Sequence, residues 1–496
     1  MMTMSVIALQ TLLLLPLAAS ALCLVLRSPR RIIALTWSVS LLAAAVAAPL
    51  FARCLGGAVI ATPGGWLRLD SLSAYHLAIM LAVFILSSIY ARSYFQDELA
   101  AGAFSLPLAR QYGALWLGAQ AAMTLVLVSN NLGMMWVGME ATTLLTAFLI
   151  YTRRSPLALE AMWKYLMICS VGIAFAFIGT LLVAASGKGL RLDASQALLW
   201  TRLMKDSALL DVPLLKMSFL FVLVGYGTKA GIAPMHNWLP DAHSQAPAPV
   251  SALFSGFMLN SGIYCIMRYA AILQASPALA DWSGGLLRFL GLISIVVAAV
   301  FILFQHDGKR LLAYSSVEHI GIITLGLGLG GIGRFAALFH ALNHSLGKST
   351  GFLCMGRLGQ IHGTHDLRRL TGTAHSDPVW GKGLLVSFLA LLGAAPFAFF
   401  MSELLIVKAA LAQGSLAALV IFLSGTSIIF VSALRRALAA TLGEAPPAPR
   451  TQRPAQAAEI SVVLLPLAAL LVLGLWMPGP LRAIIEQSAS IIGARP

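Results

Sequence analysis

The chain has 496 residues, of which 59% are hydrophobic and only 10% are charged. Soluble domains carry about 25% charged residues, so this composition excludes a water-soluble globule of this length. The net charge of +15 is typical of a membrane protein whose basic residues collect in cytoplasmic loops, and it does not indicate a nucleic-acid partner.

Apolar runs of membrane-spanning length recur from one end of the chain to the other. About 20 residues cross the hydrocarbon core, and such a run must be helical because an open strand cannot satisfy its backbone in lipid. The first run lacks the basic region of a signal peptide and is predicted to stay as a helix. The sequence thus predicts an all-α polytopic membrane protein with about fourteen transmembrane helices, at 5–26, 32–52, 72–92, 111–129, 131–151, 164–186, 214–233, 249–273, 286–305, 310–330, 333–359, 382–410, 415–440 and 457–478.

Two of these segments, the seventh and the twelfth, contain helix breakers beside an ionisable residue. Proline removes a backbone donor, so we predict breaks at Gly231 and Pro234 and again at Gly393 and Pro396. Paired broken helices are typical of inverted-repeat transporters. We therefore predict a three-helix segment over 1–110, two inverted five-helix repeats over 111–273 and 286–440, and a linker with a C-terminal helix over 441–496. The linker is Pro-rich from Glu444 to Pro454.

The loop charges predict the orientation of the chain. The loops between segments 1 and 2, 3 and 4, and so on to 13 and 14 hold more lysines and arginines than the loops on the other side. The bias predicts that both termini lie outside a bacterial inner membrane.

Ionisable residues within the apolar segments are the strongest functional signal in this sequence. A charge at the bilayer centre costs about 2.5–3.5 kcal/mol on insertion scales, so such residues usually have a role. Alternatives remain open: a structural carboxylate at Glu140, a lysine reaching the membrane surface at Lys229, and a helix cap at Glu403. The candidate proton pathway comprises Glu140, Lys229, Glu318, His319, His340, His344, Lys348 and Glu403.

His340, His344 and Lys348 follow one another at intervals of four on the eleventh segment. That spacing places them on one helix face over about 12 Å, which suits a proton relay. We expect this face to meet segments seven, eight and twelve. Metal ligation, haem ligation and ordinary core histidines are the alternatives, and no accompanying acid supports a metal.

The turn from Pro234 to Pro249 is rich in proline and aromatic residues, and we expect it to be structural. A metal site at His236, Asp241 and His243 is the weaker alternative. The five scattered cysteines form no C-x-x-C pair, and the chain has no nucleotide, flavin or haem motif. We therefore expect no cofactor, no metal and no catalytic residue in this chain.

At this turn the sequence becomes recognisable. The stretch from Lys229 to Ala252, KAGIAPMHNWLPDAHSQAPAPVSA, resembles the signature of the antiporter-like proton-translocating subunits of respiratory complex I. That family includes large subunits of multisubunit Na⁺/H⁺ antiporters and membrane subunits of group 4 [NiFe]-hydrogenases. YSSVEHIG at 314–321 and FHALNHSLGKS at 339–349 are more similar to the hydrogenase-4 branch.

The resemblance implies a proton-translocating subunit that works with other membrane and redox subunits of a multisubunit complex. It matches Glu140 to the family's helix-5 glutamate, Lys229 to its helix-7 lysine and Glu403 to its helix-12 residue. It matches the stripe on segment eleven to the central axis. Asn260 stands where many members carry a lysine. A cation/proton antiporter module, and a membrane scaffold for a hydrogenase or bicarbonate-uptake complex, are the alternatives, and Na⁺ is the second candidate for the transported ion.

Overall fold

The computed structural model describes residues 2–188, 196–444 and 454–493. Most of the Pro-rich linker therefore lies outside the described residues. The only strands in the described ranges, β1 (Ile60–Ala61) and β2 (Arg68–Leu69), form an antiparallel hairpin. The helices are α1 (Met2–Val25), α2 (Pro29–Leu55), α3 (Ser71–Ala100), α4 (Leu106–Val128), α5 (Leu132–Ile150), α6 (Pro156–Ser186), α7 (Trp200–Lys205), α8 (Val212–Ala230), α9 (Leu239–Gln245), α10 (Ala248–Leu253), α11 (Leu259–Ala275), α12 (Ala280–Ile302), α13 (Gly308–Leu329), α14 (Ile332–His362), α15 (Thr373–Ser376), α16 (Pro378–Leu391), α17 (Ala398–Ala412), α18 (Leu416–Leu442), α19 (Ala457–Leu475) and α20 (Gly479–Gly493).

These helices confirm an all-α polytopic membrane protein. Within the described ranges, twelve helical spans are long and apolar enough to cross a membrane, and α16 is a shorter apolar helix. The predicted count of fourteen is not confirmed. The eleventh predicted segment is α14, whose buried histidines and lysine lower its mean hydropathy, and the twelfth is divided between α16 and α17.

The most polar helices lie at the centre of the molecule. The span from α10 to α11 and the whole of α13 are buried, whereas α1, α18 and α19 expose most of their apolar side chains. Apolar side chains on the outer helices are stable in contact with lipid. These helices separate the inner, more polar helices from the lipid. The polar residues of α11, α13 and α14 therefore face protein.

Both predicted helix breaks are confirmed, and they share one geometry. Gly231 ends α8 with φ +77°, and Gly393 follows α16 with φ +70°. Each is followed by a cis X–Pro bond, at Pro234 and Pro396, within the same Gly-x-Ala-Pro pattern. Glycine adopts the left-handed backbone at no steric cost, which makes it suitable for ending a helix in this way.

The eighth segment contains an irregularity that the sequence analysis did not predict. Five π-helical residues, Phe254–Met258, separate α10 from α11. Asn260 lies just after them, at the start of α11. Single π turns are often found at functional sites because they change the direction of the following side chains.

Contacts between loops define two ends of the molecule. The backbone of Asn130 accepts from Trp200 and donates to Trp66, which joins the connections 56–70, 129–131 and 196–211 at one end. The amphipathic helix α20, which was not predicted, lies at the same end, where Gln487 bonds to Ser71 and to the carbonyl of Leu55. We call this end the terminal face.

The connections 303–307 and 363–377 meet at the other end, where the Gly308 amide donates to the carbonyl of His365 over 2.8 Å. We call this end the opposite face.

Candidate functional site

Lys229 is the centre of a polar cluster between α5, α6 and α8. Its side chain is fully buried, and its Nζ donates to Thr143 Oγ1 over 2.9 Å and to Tyr165 Oη over 2.5 Å. The same nitrogen lies 4.9 Å from the centre of the Tyr165 ring. The Tyr165 hydroxyl also bonds to Thr146 over 2.6 Å. The hydroxyl groups and the ring together hold a buried amine without a directly paired carboxylate.

Glu140 lies one helical turn before Thr143 on α5, beside this cluster. Ser170 donates to Glu140 Oε1 over 3.1 Å, and Oε2 is buried with no hydrogen-bond partner among the described residues. No salt bridge joins Glu140 to Lys229 in the described chain. The two residues predicted to act as a pair therefore belong to one cluster, with Thr143 next to both.

A second cluster lies between α13, α14 and α17. His319 Nδ1 and His340 Nε2 are 2.9 Å apart, and His340 Nδ1 is 2.9 Å from Ser402 Oγ. Asn343 also donates to Ser402, over 3.2 Å. These side chains are buried, and they form a continuous hydrogen-bonded line from α13 to α17.

Lys348 and Glu318 lie near this line. Lys348 is fully buried, and its Nζ donates to the carbonyl of Leu312 over 3.0 Å. The ring of His344 lies 5.6 Å from that of His319, and neither of its nitrogens has a partner in the described structure. Glu318 Oε2 likewise has no described partner. Buried polar atoms are nearly always hydrogen-bonded to protein or to ordered water. The unpartnered atoms of His344 and Glu318 could therefore bind internal water.

Glu403 lies beside the break between α16 and α17. A Cβ atom at Gly393 would come within 2.4 Å of Glu403 Oε2, so the glycine makes space for the carboxylate. One ligand atom each from His319, His340 and Glu403 lie within 4.8 Å of one another, a group that could hold a metal ion. The acid that seemed missing from the sequence is thus supplied by another helix. Both nitrogens of His340 are already hydrogen-bonded to side chains, which favours a relay over metal binding.

Two residues lie between the clusters. Asn260 donates to Ser345 Oγ over 2.8 Å, and its Oδ1 has no partner among the described residues. His243 is fully buried, with both nitrogens also unpartnered in the described ranges, and its ring stacks on Phe352 at 5.1 Å. The Pro234–Pro249 turn was expected to be structural, and its helix α9 also carries His243 into the core.

The stripe on α14 is buried, as predicted, but its neighbours differ in part. His340 contacts α13 and α17, and Lys348 contacts α13. Ser345, beside the stripe, contacts α11. The face therefore meets predicted segments eight, ten and twelve, whereas segment seven was expected in place of ten. Segment ten, which is α13, supplies direct partners of the stripe, namely His319 and the carbonyl of Leu312.

Several polar residues of the site were missed from the sequence, including Thr143, Tyr165, Ser402 and Lys309. Hydroxyl residues are common in membrane helices, so nothing marked the first three. Lys309 was counted as a loop charge, yet it is buried and donates to the carbonyls of Ser244 and Ala246 over 3.2 and 2.5 Å.

The region that holds both clusters also matches known proteins. Residues 129–429 match the family described as NADH:quinone oxidoreductase/Mrp antiporter, TM. The chain belongs to this family. The match runs from the start of α5 into α18, so it includes both breaks and every candidate residue, and the predicted resemblance is confirmed.

Individual relatives agree with this assignment. The chain is 39% identical over 357 residues to a Hydrogenase-4 component F homolog of Methylacidiphilum infernorum (isolate V4), covering 72% of this chain and 75% of that one. It is 32% identical over 350 residues to Hydrogenase-4 component B of Escherichia coli (strain K12), covering 68% of this chain and half of that relative. A chain of the archaeal membrane-bound sulfane sulfur reductase superposes with a TM-score of 0.85 at 23% identity, covering 98% of this chain and 97% of its own, which shows a shared fold.

Proposed function

We propose that this chain translocates protons across the membrane as a subunit of a redox-driven multisubunit complex of the hydrogenase-4 or complex I type. The observation that carries the proposal is the set of titratable groups that extends across the interior from half-buried Glu140, through buried lysines and histidines, to half-buried Glu403. Burying so many ionisable groups is costly, and a structural role would need far fewer of them.

In this proposal, protons pass from the Glu140–Lys229 cluster to the histidine cluster and leave by Glu403. Tyr165 takes part directly, because its hydroxyl links Lys229 to Thr146. The Tyr165 and Thr146 hydroxyls also contact the sulfur of Met258, where the hydrogen-bonded line ends.

Protons would cross from the Thr146 and Tyr165 hydroxyls, beside Met258, to the second cluster through water bound by the unpartnered atoms of Asn260, His243 and His344. Asn260 has no titratable group, so it would hold water at the position where many family members have a lysine.

The assembly and orientation belong to the same proposal. The chain is a multi-pass membrane protein, and structures of similar fold are subunits of membrane complexes, which supports partners among membrane and redox subunits. We propose a bacterial inner membrane with the terminal face outside, and H⁺ as the transported ion in preference to Na⁺. We also propose that 111–273 and 286–440 are inverted repeats, with 1–110 and 441–496 outside them, and the matching geometry of the two breaks supports this division.

The test compares two lysines in proton-pumping vesicles that contain the assembled complex. Lys348 is fully buried beside the histidines, whereas Lys408 is exposed on α17. We expect Lys348→Met to abolish most redox-driven acidification while the electron-transfer activity of the complex persists, and Lys408→Met to behave as wild type. Normal pumping in Lys348→Met would refute the pathway and would favour the scaffold alternative. Sodium-dependent pumping would favour the antiporter alternative.

A further inference from the structure

A second polar stripe follows α11 from the central axis, which we define as the polar groups of α13 and α14, towards the terminal face. Asn260, Tyr264 and Arg268 are four residues apart, so they share one face of that helix. Tyr264 is fully buried, and His76 packs against its ring with centroids 5.1 Å apart. His76 Nε2 and Asn260 Oδ1 both lack partners among the described residues. Polar groups therefore continue from the axis to within a few residues of the terminal face.

Arg268 closes this stripe. Its Nη1 and Nη2 donate to the two oxygens of Asp70 over 2.8 and 2.7 Å, Nη2 donates to Ser73 over 2.7 Å, and Nε donates to Tyr264 over 3.0 Å. The guanidinium lies 4.6 Å from the centre of the Trp200 ring. Arg68 also contacts Asp70, and we call Arg68, Asp70, Ser73, Tyr264 and Arg268 the plug.

The plug carries a fixed positive charge. Arg68 Nε lies 3.5 Å from Asp70 Oδ2, so two guanidinium groups share one carboxylate. Burial by itself would raise the pKa of the Asp70 carboxyl, but the charge and hydrogen bonds of Arg268 hold it well below its usual range. The group therefore keeps one excess positive charge. A fixed positive charge on a line of polar groups is a barrier to protons and other cations.

Accordingly, we propose that Arg268 is an electrostatic seal that prevents protons from leaking between the terminal face and the central axis along α11. This inference rests on the proposed proton translocation. It assigns to Arg268 a role in coupling: protons leave only by way of Glu403, because the route along α11 is blocked.

The test measures passive proton flux without redox turnover, in vesicles that contain the full chain in its complex. A potassium diffusion potential drives the flux, and an internal pH dye reports it. Arg268→Gln keeps a hydrogen bond to Asp70 but removes the excess charge, so we expect flux to rise roughly tenfold. Arg268→Lys keeps the charge and should remain tight. Asp70→Asn increases the positive charge and should also remain tight.

The outcomes test the seal and the proposed function separately. Unchanged flux in Arg268→Gln would overturn the seal, as would equal leaks in Arg268→Gln and Asp70→Asn, which would show that packing matters and charge does not. Redox-driven pumping by the wild type in the same vesicles checks the proposed function separately. If it fails, the proposed function is wrong. If it succeeds while Arg268→Gln stays tight, only the seal is wrong.

A second measurement leaves the plug intact, in case Arg268→Gln does not fold. Cysteine is placed below the plug by His76→Cys and above it by Trp66→Cys, a position that is 46% exposed. A membrane-impermeant maleimide added at the terminal face should label position 66 but not position 76. Labelling of position 76 at a similar rate would mean that the stripe is open, and the proposal would be wrong.

Discussion

Replacing Tyr165 by phenylalanine tests the first cluster most directly. The change removes the hydroxyl that accepts from Lys229 Nζ over 2.5 Å but keeps the ring beside the amine. A hydrogen bond to a charged group is worth about 1.5–3 kcal/mol. Losing it should reduce the ratio of charged to neutral Lys229 about ten- to a hundredfold at a given pH. Among the described residues, Thr143 then remains as the side-chain acceptor for the amine.

The expected result is slower proton pumping than in the wild type, because the amine loses a hydrogen bond that stabilises its charged form. The assay is initial acidification rate in vesicles across a pH series. Tyr269→Phe is the matched control, since it also removes a buried hydroxyl, one that bonds to Thr180 over 2.7 Å. Equal pumping rates for the two variants across the series would refute the role of Tyr165 in holding the charge.

Three further predictions concern other parts of the pathway. Glu140→Gln should impair pumping while the complex still assembles, because it keeps the shape and loses the charge, and unchanged pumping in vesicles would contradict its role. His344→Ala should lower pumping without changing partner redox activity or metal content, as measured by vesicle acidification and elemental analysis. Bound metal lost in this variant would instead support the metal alternative. Gly393→Ala should cost about 1–2 kcal/mol from left-handed backbone and should also displace Glu403, so that pumping falls. Gly414→Ala, at φ +63° with open space around its Cβ, should show the same loss of thermal stability but normal pumping.

Composition and motif spacing determined much of the fold. Long apolar runs have one stable form in lipid, which is why nearly every predicted segment coincides with a helix. Glycine and proline act through local backbone chemistry, so both breaks could be read directly. The charges of Glu140, Lys229 and Lys348 could be recognised from the sequence because a charge within a membrane-spanning helix is energetically costly whichever way the helix faces.

Only the tertiary structure decided which of these residues meet. Glu403 joins His319 and His340 because the break before α17 lets that helix approach α13 and α14, and sequence distance conveys none of this. His243 lies in the core because of the position of α9. Tyr165 on α6 contacts Lys229 on α8 because these two helices pack against each other. The polar atoms that form the site are supplied by separate helices. Their meeting depends on how the helices pack, whereas each helix by itself depends only on local sequence.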